Sequence, residues 1–326
     1  MANDNKIALV LGSGGARGLA HIGVIQALEE QGWQIASIAG SSMGALVGGL
    51  YAAGKLDDYR QWVCNIRRFD VLRLLDLSLG SSGLVKGERL IATLRQQLGD
   101  AAIEQLAIPF TAVATELQEG REIWLTQGSL FDAIRASIGI PLFFHPYQHQ
   151  GRMLIDGGVI NPVPLAPVFR DNHQKLIAVN LNGPALPPAE LQTLLGEEKS
   201  RGLQQRLSEF WARLPRTHAH NETLQLGMLE VASQALELMQ EVIARQRLAA
   251  YPPDLLVEIP RNLAGMLEFH RAEALINAGY QLAQAALARA ALRPTATELP
   301  PEMTTPAVSP EPTLQAGSPP APTAAH

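Results

Sequence analysis

The sequence has little of what marks disulfide-rich, membrane-spanning or nucleic-acid-binding proteins. It contains one cysteine, Cys64, in 326 residues, which excludes an intramolecular disulfide and favours a reducing compartment. It has no apolar run of about 18 residues or more, and the nearest candidate, residues 38–53, is interrupted by glycines and serines. A net charge of −5 argues against a broad nucleic-acid-binding surface, so we expect no nucleic-acid partner.

The first residues also lack the pattern of a secretory signal. Residues 1–6 lead directly into an apolar strand, without a basic segment followed by a removable apolar run. We therefore expect a cytoplasmic protein, and a peripheral contact with the inner face of a membrane remains an open alternative. The sequence predicts no oligomeric state.

Apolar residues are abundant, at 47% of the chain, and they form short runs that alternate with helix-like segments. Residues 7–11 and 34–39 are typical of strands buried on both faces. Residues 18–31 and 45–53 are typical of helices. This alternation predicts a three-layer α/β fold, with a mostly parallel central sheet and helices on both faces.

The composition changes near the C-terminal end of the chain. Residues 1–293 have the mixture expected of one domain, within which residues 184–220 carry prolines and mixed charge and are interpreted as an insertion or lid. Residues 294–326 are rich in proline, alanine and threonine. This tail is predicted to be disordered because it cannot bury enough apolar surface to order itself.

The segment Gly40-Ser41-Ser42-Met43-Gly44 is the most informative part of the sequence. It has the pattern Gly-x-Ser-x-Gly and lies between a predicted strand and a predicted helix. A serine on such a sharp turn has its hydroxyl lifted away from the backbone, and the flanking glycines permit the turn. Ser42 is therefore a candidate nucleophile, and the alternative is a tight glycine turn with a capping serine.

A glycine-rich loop, residues 12–18, follows the first strand and opens the first helix. Such a loop can direct several backbone N–H groups at one point, which suits an oxyanion. A dinucleotide site is disfavoured because Arg17 occupies the third glycine position and no acidic residue ends the second strand. A P-loop is disfavoured because no Gly-Lys-Ser/Thr follows.

Asp156 ends a predicted strand and precedes two glycines, so it is the candidate base that accepts the serine proton. The alternatives are an ordinary turn aspartate and a histidine triad, because Ser42, Asp156 and His270 occur in the chain order of α/β-hydrolases. His21 on the first helix is interpreted as a packing or capping residue. No histidine pair shows a metal-ligand motif with glutamate, and neither a metal nor a cofactor is expected.

Taken together, these motifs resemble those of the bacterial patatin-like phospholipases, in the branch that shares its catalytic domain with neuropathy target esterase. Three segments carry the resemblance: residues 13–18, residues 40–44, and Asp156-Gly157-Gly158. Residues 18–24, residues 135–141 and Asn161-Pro162 are also similar. The likeness covers roughly residues 5–180 and extends more weakly to about residue 292.

The resemblance implies a patatin-like fold and a Ser42–Asp156 dyad that works without histidine. It also implies an oxyanion hole formed by the amides of Gly14, Gly15 and Ala16. The family commonly has glycine where Ser13 stands. The residues that would support these motifs are Gly12, Arg17, Gly18, Gly40, Gly44, Gly157 and Gly158.

The implied function is a serine acyl hydrolase of the esterase, phospholipase or lysophospholipase type, which cleaves fatty acyl esters through an acyl-enzyme. Its expected partner is a lipid or acyl-ester substrate. Phe143, Phe144 and Trp124 are candidates to line an acyl channel, although aromatic residues more often belong to a core. The alternatives are an acyltransferase that uses the same acyl-enzyme and a non-catalytic lipid-binding or regulatory protein.

Overall fold

The computed structural model describes residues 5–67, 70, 87–171, 173–196 and 228–291. Within these ranges, one sheet contains eight strands. The strands are β1 Lys6–Leu11, β2 Gln34–Ser41, β3 Phe110–Glu116, β4 Arg121–Leu125, β5 Tyr147–His149, β6 Arg152–Asp156, β7 Lys175–Gly183 and β8 Leu255–Pro260. Their order is β5-β6-β3-β2-β1-β7-β8, and β4 pairs with β3 outside this path.

Parallel pairing dominates the centre of the sheet. Strands β3, β2, β1, β7 and β8 pair in parallel, whereas β4, β5 and β6 pair in antiparallel fashion. The prediction of a mostly parallel sheet is confirmed. The short strand β5 lies in a region where the sequence shows no strand pattern, and β6 is its only strand partner among the described residues.

Helices cover both faces of the sheet, as predicted. The α-helices are α1 Ala20–Glu30, α2 Met43–Ala52, α3 Leu56–Cys64, α4 Glu88–Leu98, α5 Leu130–Ser137, α6 Pro188–Leu194, α7 Met228–Ala250 and α8 Ala272–Ala291. A 3₁₀ turn, Gly15–Leu19, precedes α1, so the helix predicted from residue 18 begins two residues later. No helix in the described ranges has both the length and the apolar character needed to cross a membrane.

Strand β1 shows how the core is divided between the two faces. Its side chains alternate across the sheet, as in any strand. Ile7, Leu9 and Leu11 join a large apolar cluster that includes residues of α1, α2 and α8. Ala8 and Val10 join a second cluster that includes a residue of α7. The continuous apolar run in the sequence is therefore explained by burial on both sides.

The ends of two strands meet on one edge of β3. Ser41, the last residue of β2, pairs with Val113 of β3. Asp156, the last residue of β6, pairs with Ala114, the next residue along β3. Because β4 occupies the opposite edge of β3 at these positions, β2 and β6 share an edge and run toward each other. The residue that follows β2, Ser42, is thus brought next to Asp156.

Contacts within the chain group the described residues up to Ala290 into one compact unit. The segment interpreted as an insertion or lid contains α6, and its residues 197–220 lie outside the described residues. The tail predicted to be disordered, residues 294–326, also lies outside them.

Candidate active site

Ser42 lies at a strained turn between β2 and α2. Its φ angle of 56° and ψ angle of −122° are unusual for a residue other than glycine. Its N–H donates to Ser137 Oγ at 2.9 Å, and the Ser137 hydroxyl donates to the Val113 carbonyl at 2.6 Å. Its carbonyl accepts the N–H of Leu46 in the first turn of α2. These bonds hold a conformation that costs about 1–3 kcal/mol and that is common at functional sites.

The turn depends on the two glycines of the motif, because backbone atoms crowd both. A Cβ on Gly40 would lie 2.3 Å from the carbonyl oxygen of Gly44, and a Cβ on Gly44 would lie 2.0 Å from that of Leu11. Helix α2 therefore approaches β1 and β2 more closely than any side chain would allow.

Gly44→Ala is expected to lower the free energy of unfolding by about 3 kcal/mol, at the upper end of overpacking effects, because its new methyl group would meet backbone atoms that cannot rotate away. Urea denaturation measures the change. Gly265→Ala is the matched control, since its Cβ would find its nearest neighbour at 3.6 Å and a non-positive φ angle. Equal stability of the two variants would contradict the prediction.

Asp156 is hydrogen-bonded to Ser42 and is buried with it. The Ser42 hydroxyl donates to Asp156 Oδ2 at 2.5 Å, and the N–H of Gly158 donates to Asp156 Oδ1 at 2.7 Å. The backbone of Asp156 is also fixed, through the carbonyl of Gly139 and the hydroxyl of Thr115. Both carboxylate oxygens thus have donors, and one of these donors is the hydroxyl predicted as the nucleophile.

Burial sets the protonation behaviour of this carboxylate. It raises the pKa of Asp156 to about 7, and the hydrogen bonds from Ser42, Gly158 and Ser13 oppose this rise. A base with a pKa near the working pH combines a substantial ionised fraction with useful basicity. The Asp156 carboxylate therefore has the protonation behaviour that proton transfer at neutral pH requires.

The glycine loop lies beside Ser42, and three of its amides already donate to carbonyls elsewhere in the chain, the first being Gly12 N–H to the Val179 carbonyl at 3.0 Å. The N–H of Ser13 donates to the Pro162 carbonyl at 2.8 Å, and that of Ala16 donates to the Met266 carbonyl at 2.9 Å. In the described part of the chain, no backbone carbonyl accepts from Gly14 or Gly15. Of the three amides expected from the sequence to form an oxyanion hole, that of Ala16 donates to a carbonyl within the chain, and those of Gly14 and Gly15 do not.

Arg17 and His21 stabilise the glycine loop through hydrogen bonds of their buried side chains. The Arg17 guanidinium is buried and donates to the Arg261 carbonyl at 2.9 Å and to Glu237 on α7 at 3.4 Å. Burial lowers the pKa of His21 to about 4, so its neutral ring donates from Nε2 to the Gly12 carbonyl at 2.9 Å. Both side chains fasten the loop to neighbouring elements.

The remaining predicted residues are also accounted for. His270, the third member of the alternative triad, is exposed on a short 3₁₀ turn, and Asp156 is the residue that accepts the hydrogen bond from Ser42. Among the described residues, no group of three or more His, Cys, Asp or Glu side chains could hold a metal ion. The other motif glycines are buried on the loop or directly after Asp156: Gly12, Gly18, Gly157 and Gly158.

An apolar cavity of about 70 Å³ opens beside Ser42. Its walls come from α2, α3, α4, the segment after α5 and the segment between β8 and α8. Phe144 lines it as predicted, whereas Trp124 lies on β4 with 47% of its surface exposed. Sequence reasoning missed Met266, Leu267 and Phe269, because their segment carries no motif and reaches the site only through the fold.

The sheet, the serine turn and the buried carboxylate define an α/β protein with a hydrolase-like pocket. The family model described as "Patatin-like phospholipase" matches residues 9–169. The chain belongs to the patatin-like phospholipases, in the branch of NTE family proteins. The predicted resemblance is thereby confirmed, and membership places the chain among the lipid-ester hydrolases as a class of enzyme.

Similarity to known proteins extends over most of the chain. An uncharacterized NTE family protein of Mycobacterium tuberculosis is 40% identical over 332 residues, which cover 88% of this chain and 92% of that protein. Lysophospholipase NTE1 of Coccidioides immitis is 27% identical over 87% of this chain, but the match covers 18% of that longer protein. Neuropathy target esterase sws of Drosophila melanogaster is 32% identical over 54% of this chain and 13% of its own length.

Proposed function

We propose that this protein hydrolyses fatty acyl esters of the lysophospholipid type, with Ser42 as nucleophile and Asp156 as general base. The observation that carries the proposal is the 2.5 Å hydrogen bond from Ser42 Oγ to Asp156 Oδ2, buried at the edge of an apolar cavity. A serine needs a base within hydrogen-bond reach to become a nucleophile, and Asp156 is that base.

In the first half of the reaction, Asp156 accepts the hydroxyl proton as Ser42 Oγ bonds to the ester carbonyl carbon. The negative charge that develops on the carbonyl oxygen is stabilised by the amides of Gly14 and Gly15 and by the positive end of α2. Protonated Asp156 then donates its proton to the departing alcohol oxygen as the ester C–O bond breaks. An acyl group remains on Ser42 Oγ.

In the second half, water replaces the alcohol. Asp156 accepts a proton from the water while the water oxygen bonds to the acyl carbon. The same amides stabilise the second oxyanion. When the bond to Ser42 Oγ breaks, Asp156 returns the proton to that oxygen. The products are a carboxylic acid and free enzyme, so one ester and one water are consumed in each turnover.

The cavity supports an acyl substrate because almost all of its lining is apolar. A volume of about 70 Å³ suits a short acyl segment, since a single water requires roughly 10–15 Å³ on the same measure. The pocket residues lie directly beyond Ser42, at the position where the acyl chain of the covalent intermediate extends.

Ile66→Trp is expected to reduce kcat/KM for p-nitrophenyl octanoate at least tenfold more than for p-nitrophenyl acetate. Ile66 lines the cavity, and in an apolar pocket the loss of room for one methylene changes rates by about 10- to 200-fold. The ratio of the two kcat/KM values measures the effect. Ile108→Trp is the control, because Ile108 packs against the core outside the cavity. Equal losses for both esters would contradict the acyl pocket.

Product analysis tests the proposed function itself. The purified protein is incubated with lysophosphatidylcholine, with and without added glycerol, and free fatty acid and acylglycerol are quantified by mass spectrometry. We expect fatty acid as the main product in both cases. Acylglycerol as the main product would favour an acyltransferase. The absence of both products, together with no labelling of Ser42 by a fluorophosphonate probe, would favour a non-catalytic protein.

A further inference from the structure

The side chain of Ser13 lies beside the carboxylate of Asp156, close to Gly158. Ser13 is 3% exposed, and its side chain lowers the pKa of the Asp156 carboxyl group, against the effect of burial. Ser13 Oγ and Asp156 Oδ1 lie 2.3 Å and 2.9 Å from the point where a Cβ of Gly158 would stand. Glycine at position 158 therefore leaves the space in which the two side chains meet.

The backbone of Ser13 is fixed independently of this contact. Its N–H donates to the Pro162 carbonyl at 2.8 Å, and its carbonyl lies 3.5 Å from Asn182 Nδ2. The hydroxyl is therefore delivered to Asp156 by a rigid loop. A donor that is held in place before the reaction loses little entropy in making its bond.

We propose that Ser13 is a positioning residue for Asp156: its hydroxyl donates to the carboxylate, orients it toward Ser42 and stabilises its charged form. This inference rests on the proposed function, because it assigns a role to Ser13 only if Asp156 is the base.

The contribution of Ser13 is largest after the acyl-enzyme forms. The Ser42 hydroxyl is one of three donors to Asp156 in the free enzyme. Once Ser42 Oγ carries the acyl group, it has no proton to donate, and only Ser13 and the N–H of Gly158 remain of that set. Asp156 must activate water at this stage, so its basicity then depends on these two donors.

The charged and titratable side chains on the elements around Asp156 have partners elsewhere or are exposed. Burial and the three hydrogen bonds set the pKa of Asp156, and no charged side chain of the described residues shifts it. The charged and titratable groups on these elements include Glu116 of β3, bonded to Arg121; Asp132 of α5, bonded to Arg95; Arg135 of α5, bonded to the His145 carbonyl; Tyr147 of β5, beneath Arg135; His149 of β5, stacked with Tyr147; Arg152 of β6, which is exposed; Arg17, bonded to the Arg261 carbonyl; and His21, bonded to the Gly12 carbonyl.

The test is the pH dependence of kcat/KM and kcat for wild type, Ser13→Ala and Ser13→Gly, with p-nitrophenyl butyrate as substrate. Both variants lose a donor to the carboxylate, so the rising limb is expected to move upward by about one pH unit. At a pH one unit below the midpoint of the wild-type profile, the activity of each variant is expected to be roughly fivefold to tenfold lower than that of wild type. At pH 9 it is expected to be within about threefold of wild type. Ser37→Ala is the control, because Ser37 is a buried serine whose hydroxyl has no partner in the described residues.

A purely structural role for Ser13 would lower activity by the same factor at every pH and would leave the midpoint where it is, which would overturn the proposal. Asp156→Asn is measured in parallel to separate the two hypotheses. If Asp156→Asn is inactive and the pH profile of Ser13→Ala has the wild-type midpoint, the proposed role of Ser13 is rejected and the proposed function stands. An Asp156→Asn protein that retains wild-type turnover rejects the proposed function and, with it, the role of Ser13.

Discussion

Replacing Ser42 by alanine is expected to reduce ester hydrolysis by about ten-thousand- to a million-fold, the range seen when the nucleophile of a serine hydrolase is removed. The reason is chemical, because the variant has no oxygen at the position where the acyl group must be attached. The remaining amides and apolar walls can still bind the ester, so KM should change far less than kcat. Steady-state kinetics with p-nitrophenyl butyrate measures both constants.

Two further measurements show whether the loss is specific to Ser42. A fluorophosphonate probe should label wild type at one serine and should fail to label Ser42→Ala. Ser37→Ala, which removes another buried hydroxyl from β2, should be labelled and active like wild type. Thermal unfolding at a normal Tm would show that Ser42→Ala is folded. Full labelling of this folded variant would mean that another residue is the nucleophile.

Local patterns explain how much of the fold could be predicted from sequence. Residues 7–11 form a continuous apolar run, and the structure confirms a strand buried on both faces there. The turn around Ser42 was predictable because its glycines, the strand before it and the helix after it are neighbours in sequence. Strand β5 was not predictable, since three residues without an apolar pattern become a strand only by pairing with β6.

Contacts between distant segments explain what the sequence could not predict about the site. Ala16 and Met266 are 250 residues apart, and no motif in the sequence indicates that the Met266 carbonyl accepts the N–H of Ala16. The adjacency of Ser42 and Asp156 likewise depends on β2 and β6 sharing one edge of β3, which is a property of strand order. The sequence predicted both residues from their local motifs and from a resemblance, but only the fold gives the distance between them.

Asp156→Asn is expected to lower kcat by about a thousand- to ten-thousand-fold while raising thermal stability at alkaline pH. An asparagine can keep the geometry, because its amide oxygen can accept from Gly158 and its amide nitrogen can donate to Ser42 Oγ. It cannot take the serine proton, so acylation loses its base. Kinetics at pH 8 measures the first effect. The control is Asp58→Asn on α3, an exposed aspartate that should leave turnover unchanged.

The stability effect has a definite sign and pH range. Burial raises the pKa of Asp156 to about 7 in the folded protein, above the value of about 3.9 for an unfolded aspartate. Between these values the folded state binds the proton more tightly, so wild type loses stability as the pH rises through this range. Asparagine does not ionise and avoids that loss. The Tm advantage of Asp156→Asn over wild type should therefore grow from pH 5 to pH 8, and an advantage that shrank over this range would mean that the carboxylate is stabilised in its charged form by the fold.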